Sequence, residues 1–216
     1  AWYELIAQVS PGNKDTVVVG GIDLFMSTNG GQTWKQISKW SNNNNLFNLT
    51  CSRVHADQHQ IIFRPTKSNE LIVGNDGGVY YCSDLKTSET SSRFSERNKS
   101  YRVTQYYAGA IHPGAGSNVM LAGAQDNGTQ RYSTSGMNST TEVRGGDGAY
   151  CFIDQTNGNY AIASYVYNTY RLSTNAGATF SSSNDLINDQ NSGSFINPAD
   201  YDNTQHILFS TKESNS

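Results

Sequence analysis

The sequence is poor in the features that would support the simplest functional readings. Charged residues make up only 15% of the 216, with 15 Lys and Arg against 18 Asp and Glu and a formal net charge of -3. Without a basic excess or a Lys/Arg cluster there is nothing to neutralise phosphates, so nucleic acid is not an expected partner. No run approaches the roughly 18 apolar residues that span a bilayer, and membrane insertion is not expected either. Ala1 opens directly into AWYELIAQVSP without a basic leader, so any signal peptide is expected to have been removed. Cysteine is scarce: Cys51, Cys82 and Cys151 fit neither a metal-knuckle spacing nor a dense disulfide scaffold. A Cys51–Cys82 bridge and buried free thiols both remain open.

What is abundant is turn and strand chemistry: 20 Gly and 13 Tyr, with many Asn, Ser and Thr. Aromatic and β-branched residues fit a pleated surface, and the composition predicts an all-β chain. Five stretches share one grammar, in which an apolar strand, a polar turn, a second apolar strand, a Gly/Asp turn and a third strand follow in order. They are LIAQVSPGNKDTVVVGGIDLFMSTNGGQTW, QIIFRPTKSNELIVGNDGGVYYCSD, YAGAIHPGAGSNVMLAGAQDNGTQRYSTS, YCFIDQTNGNYAIASYVYNTYRLSTNAGATF and INPADYDNTQHILFST. Their period of roughly 40 to 55 residues is that of four-stranded β-propeller blades. The expected fold is therefore an all-β propeller over 1–216, a single segment of about four blades with a fifth repeat beginning near 195–210. Propellers close as rings of about 4 to 8 blades, so an incomplete ring or part of a larger propeller is expected.

The blade pattern sorts the polar segments by face. Turns between second and third strands fall at Gly20–Asp23, Gly74–Gly78 and Ala124–Gly128, on the same face as the lead-ins HADQH (His55–His59) and RGGDG (Arg144–Gly148). Candidate ligand-binding residues on that face are His55, Asp57, His59, Asn75, Gln125, Asp126 and Asn127. Tyr80, Tyr106 and Tyr107 are candidates to stack on sugar rings. His55, Asp57 and His59 alternate along the chain, and alternate strand residues lie roughly 6.6 Å apart, so the three span about 13 Å. That is too far for one ion with bonds near 2 Å, and neither a metal nor a cofactor is expected. Sequons begin at Asn48, Asn98, Asn127 and Asn138, of the kind that chance supplies in an Asn-, Ser- and Thr-rich chain.

Ser27-x-Asn29-x-Gly31-x-Thr33-Trp34 and Ser173-x-Asn175-x-Gly177-x-Thr179-Phe180 form a second signature, assigned to the opposite face. Both resemble the Asp-box hairpin, with Asn in the usual Asp place. In this hairpin the Asx side chain bonds turn amides, Gly supplies a positive φ, and the aromatic ring wedges between sheets. Together with HADQHQIIF, GNDGGVYYCSD, VTQYYAGAIHP, GAQDNGTQRY and GGDGAYCFID, these hairpins run in the order seen in secreted bacterial Asp-box (BNR-repeat) propellers. The architecture also resembles sortilin-type receptors and xyloglucanase-type glycosidases.

The resemblance implies an extracellular or cell-surface protein. In xyloglucanase-type enzymes an Asp in an Asp-x-Gly-Gly-x-Tyr-like turn is catalytic. Asp76 in NDGGVY is the nearest match, one residue tighter, with Asp147 or Asp126 as the second carboxylate. The Arg-Ile-Pro motif of sialidases is absent. The expected function is a module that binds glycan or protein through its polar channel face, within the remainder of a propeller or a larger surface protein. A glycoside hydrolase using Asp76 and Asp147 is the enzymatic alternative, and a structural or adhesive spacer is the third.

Overall fold

The computed structural model describes residues 4–101, 103–136 and 139–212, and the Asn138 sequon lies outside them. The chain divides into two compact units, Ala1–Arg102 and Val103–Ser216. Among the described residues no helix is long and apolar enough to cross a membrane.

In the first unit, β1 (Ile6–Ser10), β2 (Asn13–Gly20), β3 (Leu24–Ser27) and β4 (Lys35–Gln36) form an antiparallel meander in chain order. The run Thr16-Val17-Val18-Val19 supplies β-branched residues to β2, and Val18 is fully buried. Two short strands follow, β5 (Ser38–Lys39) and β6 (Ser52–Arg53), paired in parallel around a 3₁₀ turn at Asn44–Asn48. The Lys39 ammonium is buried and donates to Leu46 O at 3.3 Å and Leu49 O at 2.6 Å, satisfying carbonyls that the short turn leaves open. A second meander contains β7 (Gln58–Phe63), β8 (Leu71–Asn75), β9 (Gly78–Cys82) and β10 (Phe94–Glu96). First strands β1 and β7 lie side by side, and both sheets share a core that includes Leu24, Met26, Ile61, Leu71 and Val73.

The second unit repeats this plan. β11 (Ala108–Ile111), β12 (Met120–Ala124), β13 (Gly128–Tyr132) and β14 (Thr141–Arg144) make the third sheet. β15 (Cys151–Ile153), β16 (Ala161–Ser164), β17 (Asn168–Ser173) and β18 (Asp185–Asp189) make the fourth, and the hairpin of β19 (Ala199–Asp202) and β20 (Ile207–Ser210) follows. Strand β11 runs beside β15 around Leu121, Cys151, Ile153 and Ala161. The protein is all-β and built of four-stranded propeller blades, as the repeat grammar predicts. The fifth repeat contributes both of its first two strands.

The two Ser-x-Asn hairpins, between β3 and β4 and between β17 and β18, carry the same bonds. Ser27 Oγ donates to Asn29 Oδ1 at 2.9 Å and accepts from the Gly31 amide at 2.8 Å, while Asn29 Oδ1 accepts from the Thr33 amide at 2.9 Å. The corresponding distances around Ser173, Asn175, Gly177 and Thr179 are 2.7, 3.1 and 3.0 Å. The aromatic residues differ. Phe180 packs on the Leu121 cluster as expected for a wedge between sheets, whereas Trp34 stays 42% exposed. Trp34 instead folds back over its own turn, with Cζ2 3.5 Å from where a Gly31 Cβ would stand. All three cysteines are buried free thiols, and burial pushes Cys82 and Cys151 up to about 12.

Close approach of main chains sets the spacing of sheets in the second unit. A Cβ at Gly123 would stand 2.1 Å from Ala149 O, a backbone atom that cannot rotate away. Gly123→Ala is expected to destabilise the protein by about 1–3 kcal/mol through overpacking, measured as a lower urea midpoint at unchanged slope.

Candidate functional site

The polar lead-in of the second sheet is not the regular alternating strand its sequence suggests. Asp57 takes a left-handed φ of 65°, and β7 begins only at Gln58. Gln58 pairs with Asn75 and Gln60 with Gly74, which leaves His59 as the bulged residue. The bulge breaks the period of two. Gln58 is therefore fully buried, while His59 and Gln60 both face outward. The Gln58 amide and Nε2 donate to Gly21 O at 2.9 Å and Ile22 O at 3.1 Å, tying the lead-in to the β2–β3 turn of the first sheet.

Around this bulge the first unit assembles His55, Asp57, His59, Asn75 and Asp76. The His55 ring lies over Gly77, where a Cβ would come within 2.3 Å of it, so the NDGG turn needs glycine at that position. His59 Nε2 and Asp76 Oδ1 are hydrogen-bonded to each other. A carboxylate oxygen of Asp57 lies within 4.8 Å of one from Asp76. Burial raises the Asp57 pKa, and the nearby charges of Glu4 and Asp76 raise it further against the opposing pull of His55 and His59. Asn75 points inward, donating to Gln58 Oε1 at 3.3 Å and accepting from the Gly77 amide at 3.1 Å. Asn98 holds the same turn, accepting from the Val79 amide at 2.8 Å and donating to Gly77 O at 2.7 Å. Tyr80 is partly buried and packs against the core of the first unit.

Gln125, Asp126, Asn127 and Asp147 belong to the second unit. The Gly148 amide donates to Ala124 O and the Gly128 amide to Gly146 O, both at 2.8 Å, clamping the RGGDG lead-in to the β12–β13 turn. That clamp brings the Asp126 amide to Asp147 Oδ1 at 3.1 Å. The Tyr107 hydroxyl donates to Gln125 Oε1 at 2.6 Å while its ring remains half exposed, and Asn127 Nδ2 donates to Gln125 O at 3.2 Å. Nearby Arg144 is buried, its guanidinium 6.0 Å from the Tyr165 ring centre; burial, with Arg171 beside it, lowers its pKa to about 10.

Two buried carboxylates escaped the sequence reading as chemically distinctive. Asp154 accepts hydrogen bonds from Tyr201 Oη, His206 Nδ1 and the Thr156 amide, each at 2.7 Å, and from the Asn157 amide at 2.8 Å. Burial would raise its pKa, but these bonds outweigh it and hold the group well below the ordinary carboxylate range. Tyr201 and His206 lie 47 and 52 residues away, so no local motif announces the cluster. Beside it is a cleft of about 420 Å³ lined by apolar side chains of the fourth sheet together with Tyr201, His206 and Leu208. Asp23, at the end of the β2–β3 turn, is the other: Gln36 Nε2 donates to its Oδ2 at 2.9 Å, whereas Oδ1 is buried without a partner.

Comparison with known proteins adds little beyond these features. No protein family matches the sequence, and no curated protein does. Among solved structures the chain is similar to an ancestral GH74 enzyme, at 15% identity and a TM-score of 0.42, covering 98% of this chain and 28% of that one. It is also similar to the GH74 xyloglucanase from Xanthomonas campestris, at 14% identity and a TM-score of 0.30, covering 86% of this chain and 30% of that one. For YCF48 from Cyanidioschyzon merolae the values are 11% identity and 0.27, with coverage of 81% and 55%. The chain thus spans less than a third of either GH74 protein.

Desolvation raises the Asp23 pKa from 3.8 to about 6, against the weaker lowering influence of the nearby Trp40 amide and Ser38 side chain. Its folded value lies above its unfolded one, so the stability it contributes is full below the unfolded pKa and is lost as pH rises through about 6. The loss amounts to about 3 kcal/mol at 1.36 kcal/mol per unit. Denaturation curves across this range are expected to show stability falling with pH in the natural protein and a flatter profile in Asp23→Asn.

Proposed function

We propose that the chain is a glycan-binding propeller module of Asp-box type, belonging to an extracellular or cell-surface protein. The observation that carries this reading is the surface around Tyr107. Its half-exposed ring offers an apolar face to the C–H side of a sugar, its hydroxyl is fixed by Gln125, and Asp126 and Asp147 stand together at the adjoining turn. An aromatic platform flanked by amide and carboxylate acceptors is the arrangement that orients a polyhydroxylated ligand. The twin Ser-x-Asn hairpins support the Asp-box assignment. Titration calorimetry against oligosaccharides chosen from a glycan array is the direct test. Tyr107→Ala is expected to weaken binding by about tenfold or more, equivalent to about 1.4 kcal/mol, with the melting temperature unchanged. Binding to proteins alone, with no glycan bound at millimolar concentration, would refute the reading.

A second reading, a glycoside hydrolase, is favoured by the carboxylates of the first unit. Asp57 and Asp76 approach within 4.8 Å, and Asp57 holds its proton to higher pH than an ordinary aspartate. A carboxyl group that holds its proton beside a second carboxyl group suits an acid and a nucleophile. On this reading Asp57 protonates the glycosidic oxygen as its bond to the anomeric carbon breaks and Asp76 bonds to that carbon; water, deprotonated by Asp57, then releases the sugar from Asp76, and activity falls as pH rises through the elevated Asp57 pKa. Reducing-sugar release from β-glucans is expected to drop by about a hundredfold or more in Asp76→Ala. Undiminished turnover in that variant would remove Asp76 from the chemistry.

A further inference from the structure

Three Asn-Gly steps occur in the chain, at Asn29-Gly30, Asn127-Gly128 and Asn157-Gly158, all at turns. Glycine leaves its amide nitrogen unshielded by a side chain, so that nitrogen can reach the side-chain amide carbon of the preceding Asn. At two of the three the fold blocks the encounter. The Gly30 amide donates to Asp15 O at 2.9 Å, and the Asn29 side chain is held at its oxygen by Ser27 and Thr33 and at its nitrogen by Thr33. The Gly128 amide donates to Gly146 O at 2.8 Å, and Asn127 Nδ2 donates to Gln125 O at 3.2 Å.

Asn157 differs on each count. It is exposed, and among the described residues neither its Nδ2 nor the Gly158 amide meets an acceptor. The Asn159 amide donates to Asn157 Oδ1 at 3.2 Å, which folds the side chain back along the turn and draws electrons from Cγ. Packing also requires the glycine: a Cβ at Gly158 would stand 2.2 Å from Nε2 of His112, a ring already fixed at Nδ1 by the Gly114 amide at 2.9 Å.

The structure assigns Asn157 as a site of spontaneous deamidation, with water as the co-reactant. The Gly158 nitrogen bonds to Asn157 Cγ and gives up its proton, the bond from Cγ to Nδ2 breaks, and ammonia leaves with that proton. Water then adds to a carbonyl of the resulting cyclic imide, whose ring C–N bond opens to aspartate or isoaspartate. The consequence falls on Asp154. Its Oδ1 accepts from the Thr156 and Asn157 amides at 2.7 and 2.8 Å, while its Oδ2 holds Tyr201 and His206. Isoaspartate routes the main chain through Cβ and Cγ and breaks the turn bond from Tyr160 N to Asn157 O, now 2.9 Å long. Either product adds a negative charge beside the buried carboxylate. Deamidation therefore loosens the anchor that ties the β19–β20 hairpin to the fourth sheet.

The test incubates the full chain at neutral pH, folded and in urea. Amide loss is followed by mass spectrometry of tryptic peptides 15–35, 103–131 and 145–171, each of which contains one of the three steps. In the folded protein Asn157 is expected to convert at least about tenfold faster than Asn29 or Asn127, since these must first break a bond at the attacking nitrogen. In urea the three rates are expected to agree within about threefold. Asn157→Gln, which enlarges the ring to be closed, is expected to abolish the fast conversion of its peptide. Equal rates at the three sites in the folded protein, or fast conversion that persists in Asn157→Gln, would overturn the proposal. So would the same excess for Asn157 in urea, which would trace it to local sequence and not to the fold. The isoaspartyl form, separated by anion exchange, is expected to exchange its Tyr160 amide at least about tenfold faster than Asn157→Asp, which carries the charge on an unaltered main chain. Equal exchange in the two would refute the loosening of the turn.

Discussion

Within each compact unit, consecutive sheets are joined by main-chain hydrogen bonds between a turn and the lead-in that follows it. Gln58 N to Gly21 O, Gly148 N to Ala124 O and Asn168 N to Ser192 O are three versions of one contact. A turn between second and third strands has amides and carbonyls with no ladder to join, and burying them unpaired is costly. Pairing them with the neighbouring lead-in satisfies both segments. It also brings residues distant in sequence, such as Asp126 and Asp147, to one rim.

The same constraint divides the polar residues of these turns and lead-ins into two groups. Gln58, Asn75 and Asn98 are consumed by the turns they hold, and a side chain already bonded on both its oxygen and nitrogen has little left for a ligand. In the first unit Asp57 stays partly exposed, where burial and neighbouring charge raise its pKa; in the second, the Tyr107 ring keeps an open face.

Much of the fold was legible because blade grammar is local. Apolar runs separated by Gly/Asp turns mark β2, β3, β8, β9, β12 and β13, and the Ser-x-Asn-x-Gly-x-Thr pattern specifies its hairpin through bonds spanning four residues. The site was legible only in part. Alternation of His55, Asp57 and His59 suggested one strand face, but the left-handed Asp57 and the bulge at His59 re-aim them, and a bulge is decided by the partner strand. The wedge expected of Trp34 is made only by Phe180, because Leu121 of an adjacent sheet receives the second hairpin. Asp154 could not be singled out, since its donors Tyr201 and His206 arrive from another repeat.

By itself the sequence determined the strand order, the repeat and the turn types, since these depend on side-chain period and on backbone preferences within a few residues. Tertiary structure alone decided which polar groups are buried, which carboxylates become neighbours, and how far each departs from its ordinary proton affinity. Those properties follow from distances between segments dozens of residues apart, and desolvation and Coulomb interactions depend on such distances and not on spacing along the chain.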